Sequence, residues 1–220
     1  MSSSYDRMNY IFSFGFSHRW RRQFLEHIPK RRTDVQIIDL LTGMGETWKH
    51  VKTRFPASEL TALDFSQGML MHADKKNKKQ FNNMINLVEQ DVLNPSLPDE
   101  GFDAVICAFG LKTFNREQLQ ALATLTKRIL KPGGHFSFIE VSIPGSKILK
   151  GCYMFHLRNI VPLVGKLFLG NPREYNMLWQ YTERYSNSRE VAAIFSVAGL
   201  EVTYDSYFNG CATGVHGSKL

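Results

Sequence analysis

Apolar and polar positions run through the middle of this chain in two periods, and each change of period marks an element. Residues 35–39 are a β-branched apolar run (Val35, Ile37, Ile38) closed by Asp39, which reads as a strand. A turn through Gly43, Met44 and Gly45 follows, and a helix is predicted over 46–54. The alternation then repeats. A short strand over 59–63 ends in Asp64, Ser66 caps a helix over 67–78 with a basic end, and a third strand covers 85–89. Residues 101–110 are almost wholly apolar, as in a parallel strand covered on both faces. Leu119, Leu122, Leu125 and Ile129 give 115–130 a helical period that stops at Lys131-Pro132-Gly133-Gly134, and 135–141 returns to strand. Strands alternating with helices in units of about thirty residues predict a mostly parallel sheet with right-handed crossovers, an α/β fold.

The two ends depart from this rhythm. Aromatic residues around Gly15 give way to a helix capped by Ser17, with Trp20, Phe24 and Ile28 on one stripe, and this helix is expected to cover the mouth of a ligand site. Beyond Val141, residues 144–171 are apolar, aromatic and broken by Gly and Pro, and 175–185 carries Trp179, Tyr181 and Tyr185. Together they read as an inserted helical lid over 144–186. A last helix over 188–198 stops at Gly199, and 200–207 with 209–216 make a closing antiparallel pair. Without a repeat, a low-complexity stretch or a linker, a single domain is expected, with 1–30 as an N-terminal cap.

Chemistry enters at the glycine turn. Gly43 and Gly45 let the backbone take positive φ and let a ligand approach the main chain, while the following helix start offers unpaired N–H groups. A dinucleotide fingerprint needs a third glycine three residues on, for close packing at a pyrophosphate. That position is Trp48, which argues against NAD or FAD. Asp39-x-x-x-Gly43-x-Gly45 instead resembles the spacing of class I S-adenosylmethionine methyltransferases, whose cofactor has no pyrophosphate to seat. Asp64, with Phe65 beside it, lies about twenty residues past the turn, where an acidic strand end meets ribose hydroxyls.

Composition narrows the classes further. The chain has 220 residues, enough for one sizeable core, and no apolar run reaches the roughly 18 residues of a membrane span. The start, MSSSYDRMNY, lacks the layout of a secretory signal, so a cytoplasmic protein is expected. Cys107, Cys152 and Cys211 have no CxxC spacing and fit free thiols used in packing. The net charge of +7 is concentrated around Arg19, Arg21 and Arg22, in 30–32 and in 75–79. The plain reading of these runs is solvated faces; the sharper one is peripheral association with an anionic membrane surface or attraction of an acidic substrate. Nucleic acid is not expected, because aromatics are not interleaved with the basic runs. Nothing in the sequence speaks to oligomeric state.

From Tyr5 to Lys219 the chain resembles the UbiE/MenG family, the C-methyltransferases of ubiquinone and menaquinone biosynthesis. The matching motifs are Tyr5-Asp6-x-Met8-Asn9 with Ser13-x-Gly15, His18-Arg19-x-Arg21, Phe109-Gly110-Leu111, Leu130 to Gly134, Pro162-x-x-Gly165 and Val215-His216-Gly217-x-Lys219. The resemblance implies a Rossmann-like class I methyltransferase sheet with a closing antiparallel strand. It implies S-adenosylmethionine contacts at Asp39, Gly43, Met44, Gly45, Asp64, Phe65, Asp91, Val92 and Ala108. Asp91 would accept from the adenine amino group, the alternative being a turn residue before Asn94-Pro95. Where the family has Arg-Asn after Phe109-Gly110-Leu111, this chain has Lys112-Thr113, and lysine lacks the planar donor pair of arginine. The resemblance implies C-methylation of a quinone-like or small aromatic acceptor; the alternatives are O- or N-methylation in secondary metabolism, which Lys112-Thr113 favours, or a noncatalytic accessory role. Ring-carbon methylation asks for a base, and the candidates are Lys112, His18, Tyr5 and Asp6. His135 and His156 lack partners at metal-ligand spacing, so no metal is expected. The terminal Ser218-Lys219-Leu220 coincides with a peroxisomal address and is read as coincidence.

Overall fold

The computed structural model describes residues 15–30, 35–161, 163 and 172–220. Tyr5, Asp6, Met8, Asn9, Ser13, Pro162 and Gly165 lie outside the described residues. Among the described residues, seven strands form one sheet in the order β3-β2-β1-β4-β5-β7-β6. They are β1 (Gln36–Leu40), β2 (Glu59–Asp64), β3 (Ile85–Glu89), β4 (Phe102–Ala108), β5 (Leu130–Val141), β6 (Glu201–Tyr207) and β7 (Ala212–Ser218). Neighbours from β3 across to β5 are parallel, whereas β7 runs antiparallel to both β5 and β6. The expected fold class is the observed one.

Period-two alternation decides which side each residue serves. Ile37, Ala104, Ile106 and Ile139 join a core with α1 (Phe16–Gln23), α2 (Trp48–Arg54) and α3 (Gln67–Gln80). Ile38, Val105, Cys107 and Phe138 join the opposite core with α4 (Arg116–Ile129) and α7 (Arg189–Val197). With apolar neighbours above and below, β1 and β4 are buried on both faces, as their composition requires. The strand order reverses between β1 and β4, so the crevice at their carboxyl ends is the expected ligand position in such a sheet.

Several boundaries differ from expectation. Gly15, not Ser17, is the N-cap of α1, with φ 77°, and Ser17 is buried inside the helix. A left-handed cap needs no side-chain acceptor, and the predicted stripe still holds, with Trp20, Phe24 and Ile28 all buried. After Gln23 the chain tightens into a 3₁₀ turn, Phe24–His27. Helix α2 begins at Trp48 rather than at 46, because Glu46 and Thr47 remain in the turn. Lys131 to Gly134, read as a stop, instead belong to β5, with an irregular register against β4 between Phe102 and Ala104.

Between β5 and α7 come α5 (Lys147–Phe155), a π-helical turn (His156–Ile160) and α6 (Pro172–Tyr185). Met154, Leu157 and Val161 pack with Leu178 and Trp179, so α5 and α6 hold one another through a small core of their own. Arg158 adds an ion pair to Glu183 (3.0 Å) and stacks over Trp179 (4.4 Å).

Candidate active site

The glycine turn is held by hydrogen bonds that its own sequence supplies. Thr42 Oγ1 donates to Asp39 Oδ2 (2.7 Å) and accepts from Trp48 Nε1 (2.8 Å), chaining the end of β1 to the start of α2. Gly43 (φ 59°) donates its N–H to Asp64 Oδ2 (2.8 Å), and Ser66 N donates to Asp64 Oδ1 (2.9 Å). Asp64 is thus the latch of the turn, and each of its oxygens keeps a second lone pair for another donor. Gly45 (φ 76°) lies flat against the indole of Trp48, where an added Cβ would come within 2.5 Å of the ring. The tryptophan that stands in place of a third glycine is fully buried and fills the space beneath the turn.

At the ends of β1 and β4 the backbone is strained. Leu41 (φ 57°) and Phe109 (φ 68°) both take left-handed conformations that side chains disfavour, at a cost on the order of 1–2 kcal/mol each. Gly110 packs so closely on Leu41 that a Cβ would meet its Cδ1 at 2.5 Å. Both strained residues face one cavity of about 480 Å³ at the switch point of the sheet.

One end of this cavity is polar, with Asp39, Thr42, Gly43, Glu46 and Arg21 on its wall. The other is built from α1 and the 144–186 segment, through Phe16, Trp20, Leu149, Tyr153, Leu157 and Leu178. Arg21 is buried and lies 4.7 Å over the ring of Phe109. Burial pushes the Asp39 carboxyl up to about 7, the Thr42 hydrogen bond opposing, Glu46 adding and Arg21 opposing. Lys112 Nζ donates to Glu140 Oε1 (2.9 Å) and to the Phe109 carbonyl (2.8 Å), which leaves one of its three hydrogens. Glu140 has no exposed surface and also accepts the backbone N–H groups of Lys112 (3.1 Å) and Val141 (2.7 Å).

Of the residues expected from the sequence, Asp39, Gly43, Ala108 and Lys112 line the cavity. Asp64 ends β2 and Asp91 follows β3, along the same edge of the sheet, and Phe65 is 69% exposed beside Asp64. Met44 and Val92 are buried, so contact with a ligand there runs through main chain. Asp91 does form a turn, its Oδ1 accepting from Leu93 N (2.9 Å). His18 is not brought to the cavity: it is exposed on α1 with Nδ1 3.3 Å from His50 Nε2. His50 is driven down to about 4 by burial and the neighbouring His18, Arg21, Lys49 and Arg22.

Sequence reasoning missed three residues here. Glu140 is hidden as one charge in an apolar strand, and Arg21 as one of several arginines. His156 is the one histidine among the described residues on the cavity wall, at the start of the π-helical turn. A π turn in a helix often marks a functional position, but sequence periodicity does not announce it.

The reversed sheet order, the glycine turn latched by an acidic strand end, and a cavity at their junction define a class I methyltransferase. A profile of the ubiE/COQ5 methyltransferase family matches residues 1–219, and the chain belongs to that family. It is 30% identical over 218 residues to the demethylmenaquinone methyltransferase of Lactiplantibacillus plantarum, covering 98% of this chain and 91% of that protein. Among solved structures, a SAM dependent methyltransferase from Aquifex aeolicus superposes with a TM-score of 0.63 at 18% identity, over 91% of this chain and 89% of that one. Haemonchus contortus phosphoethanolamine N-methyltransferase 2, in complex with S-adenosyl-L-methionine, gives 0.66 at 13% identity over 91% of this chain, which spans 52% of that longer one.

Proposed function

We propose that the protein moves a methyl group from S-adenosylmethionine to a ring carbon of a quinol, of the demethylmenaquinol kind that its bacterial relatives are named for. The observation that carries this reading is the two-ended cavity, polar at the glycine turn and aromatic to aliphatic beneath the 144–186 segment. Such a shape separates a charged donor from a flat apolar acceptor and puts both against the same wall.

The residues at the turn fit the donor. Asp39 faces the cavity as the acceptor for its ammonium group, and the remaining lone pairs of Asp64 accept from ribose hydroxyls. Exposed Phe65 offers a ring face, and Asp91 with the main chain of Val92 forms the adenine end. The donor supplies a methyl already activated on a sulfonium, so the protein aligns the acceptor and excludes water. The third hydrogen of Lys112 donates to an acceptor hydroxyl oxygen and favours its ionised form, which makes the ring carbon the better nucleophile, and Glu140 holds the lysine in that position. His156, on the cavity wall, takes the ring proton. In this role the 144–186 segment acts as a lid within a single methyltransferase domain.

On this reading the protein works in the cytoplasm, against an anionic membrane surface where a prenylated acceptor resides. Net charge +7, exposed Ile148 and Phe155, and neighbouring Lys147 and Lys150 support that contact. No helix among the described residues is long and apolar enough to cross a membrane.

The test is turnover of labelled donor with a short-tailed demethylmenaquinol. Expected is a product with one new ring C–CH₃ by NMR. Turnover of hydroxyl or amine acceptors but not of quinols would move the assignment to O- or N-methylation, the outcome that Lys112-Thr113 in place of Arg-Asn favours. His156→Gln is expected to lower kcat by about 10²–10⁴ while donor affinity holds; unchanged kcat removes His156 as the base.

A further inference from the structure

Away from the cavity, three metal-ligating side chains from opposite ends of the chain meet at one point. Asp205 on β6 and His216 on β7 occupy diagonal positions of the antiparallel pair, Asp205 opposite Gly214 and His216 opposite Thr203, and so share one face. His216 Nδ1 lies 2.5 Å from Asp205 Oδ2. His27, at the end of the 3₁₀ turn after α1, brings Nε2 to 3.3 Å from the same oxygen. The two imidazoles stack in parallel, with centroids 3.9 Å apart and planes 8° apart. Tyr207 places its hydroxyl 3.1 Å from His27 Nε2.

Each of the two ring nitrogens at Asp205 Oδ2 offers a lone pair once its proton leaves, so the three atoms that now share protons can share a cation instead. One candidate ligand atom from each residue lies within 4.8 Å of the other two. Zinc bound tetrahedrally at about 2.0–2.1 Å holds its ligand atoms roughly 3.3 Å apart, so the His27 edge already fits and the His216 edge must open. The side chains are 27%, 18% and 22% exposed for His27, Asp205 and His216, which leaves a path for an ion and room for water as a further ligand.

We propose that His27, Asp205 and His216 form a binding site for a divalent transition cation, zinc by the chemistry of its donors, that fastens the N-terminal turn to the β6–β7 hairpin. Two imidazoles and one carboxylate are a borderline-soft donor set that suits zinc over magnesium or calcium. Loading tilts the two rings out of their parallel stack. Of the other charged groups at His27, Glu26 favours the cation and Arg54 opposes it. The turn is otherwise held by Ser137 Oγ, which donates to Phe24 O (2.7 Å), and by Arg54, which donates to Glu26 O (3.1 Å) and Ile28 O (2.8 Å). Since Phe16, Ser17, Trp20 and Arg21 on α1 line the cavity just upstream, the cation steadies the wall that they form. The expectation of no metal rested on His135 and His156, and neither takes part.

Untagged full-length protein, stripped with a chelator, is titrated with Co²⁺ and then Zn²⁺. Expected is uptake of about one equivalent, with Zn²⁺ displacing Co²⁺ and raising the melting temperature by about 5–10 °C at roughly a hundredfold excess over Kd. His27→Gln and Asp205→Asn should each weaken binding at least about tenfold and abolish the shift, because each removes a ligand. His50→Gln, which removes the separate His18–His50 contact, should change neither. X-ray absorption on the zinc-loaded unsubstituted protein needs no variant to fold, and should show two imidazoles and no sulfur. Absence of binding, retained affinity in folded H27Q or D205N, loss of binding in H50Q, or sulfur in the first shell would each overturn the proposal.

Discussion

Asp39 serves two demands that pull in opposite directions. In the proposed function it accepts from an ammonium and must be charged, yet its burial in the β1 core lifts its carboxyl to about 7. Since this folded-state value lies above the unfolded one of about 3.9, the folded protein holds the proton more tightly and loses stability as pH rises from about 4 to about 7. The loss is on the order of 4 kcal/mol at its fullest. Asp39→Asn keeps an acceptor for Thr42 and never charges, so we expect a higher melting temperature than wild type at pH 8, little difference at pH 4, and donor affinity at least about tenfold weaker by calorimetry. Lys112 and Glu140 pose the related problem of a buried pair. Lys112→Met strands a carboxylate with no exposed surface, at a cost of about 3 kcal/mol in urea unfolding, the low end of the range because two backbone N–H groups remain. Adding Glu140→Leu should restore stability without restoring turnover.

Elements show what periodicity can and cannot disclose. Gly45→Ala forces a Cβ against the buried indole at φ 76°, and we expect a loss of roughly 2–4 kcal/mol by denaturant midpoint. At α4, Asn115 and Gln118 form a reciprocal capping box, so Asn115→Ala should cost about 1 kcal/mol, seen as a fall of about 2–4 °C in melting temperature. The Ser66 cap and the strands were legible because each is written in local residues. The αL cap at Gly15 and the passage of β5 through Pro132-Gly133-Gly134 were not, since glycine permits several conformations and tertiary pairing chooses among them. The cavity wall was readable in part. Asp39 and Ala108 sit near strand ends and Gly43 in the turn after β1, at fixed spacing, whereas Glu140 and His156 acquire meaning only once β5 and the π-helical turn meet at the same cavity. His27, Asp205 and His216 had no spacing signal at all, coming from opposite ends of the chain.

At the scale of the whole molecule, the proposed function ties charge and apolar exposure to an acceptor held in a membrane. We expect the protein to co-sediment with anionic vesicles, and Ile148→Asp, at a side chain 83% exposed and off the cavity wall, to weaken that partition about tenfold. Turnover of a short-tailed soluble acceptor should be unaffected, and equal partition of the variant would remove the membrane contact from the proposal.

The antiparallel end of the sheet has a consequence for how the protein comes into being. Helix α1 rests on a turn whose partners include β5, α2 and the β6–β7 hairpin, and β5 is itself clamped at Gly133 and Gly134 by Lys219. A ribosome releases α1 near the beginning and the hairpin near the end. The segment made early therefore waits, its aromatic stripe wet, until the final strand emerges to seat it. Nascent chains stalled before residue 212 should bind neither donor nor acceptor, however well β1 to β5 have already condensed.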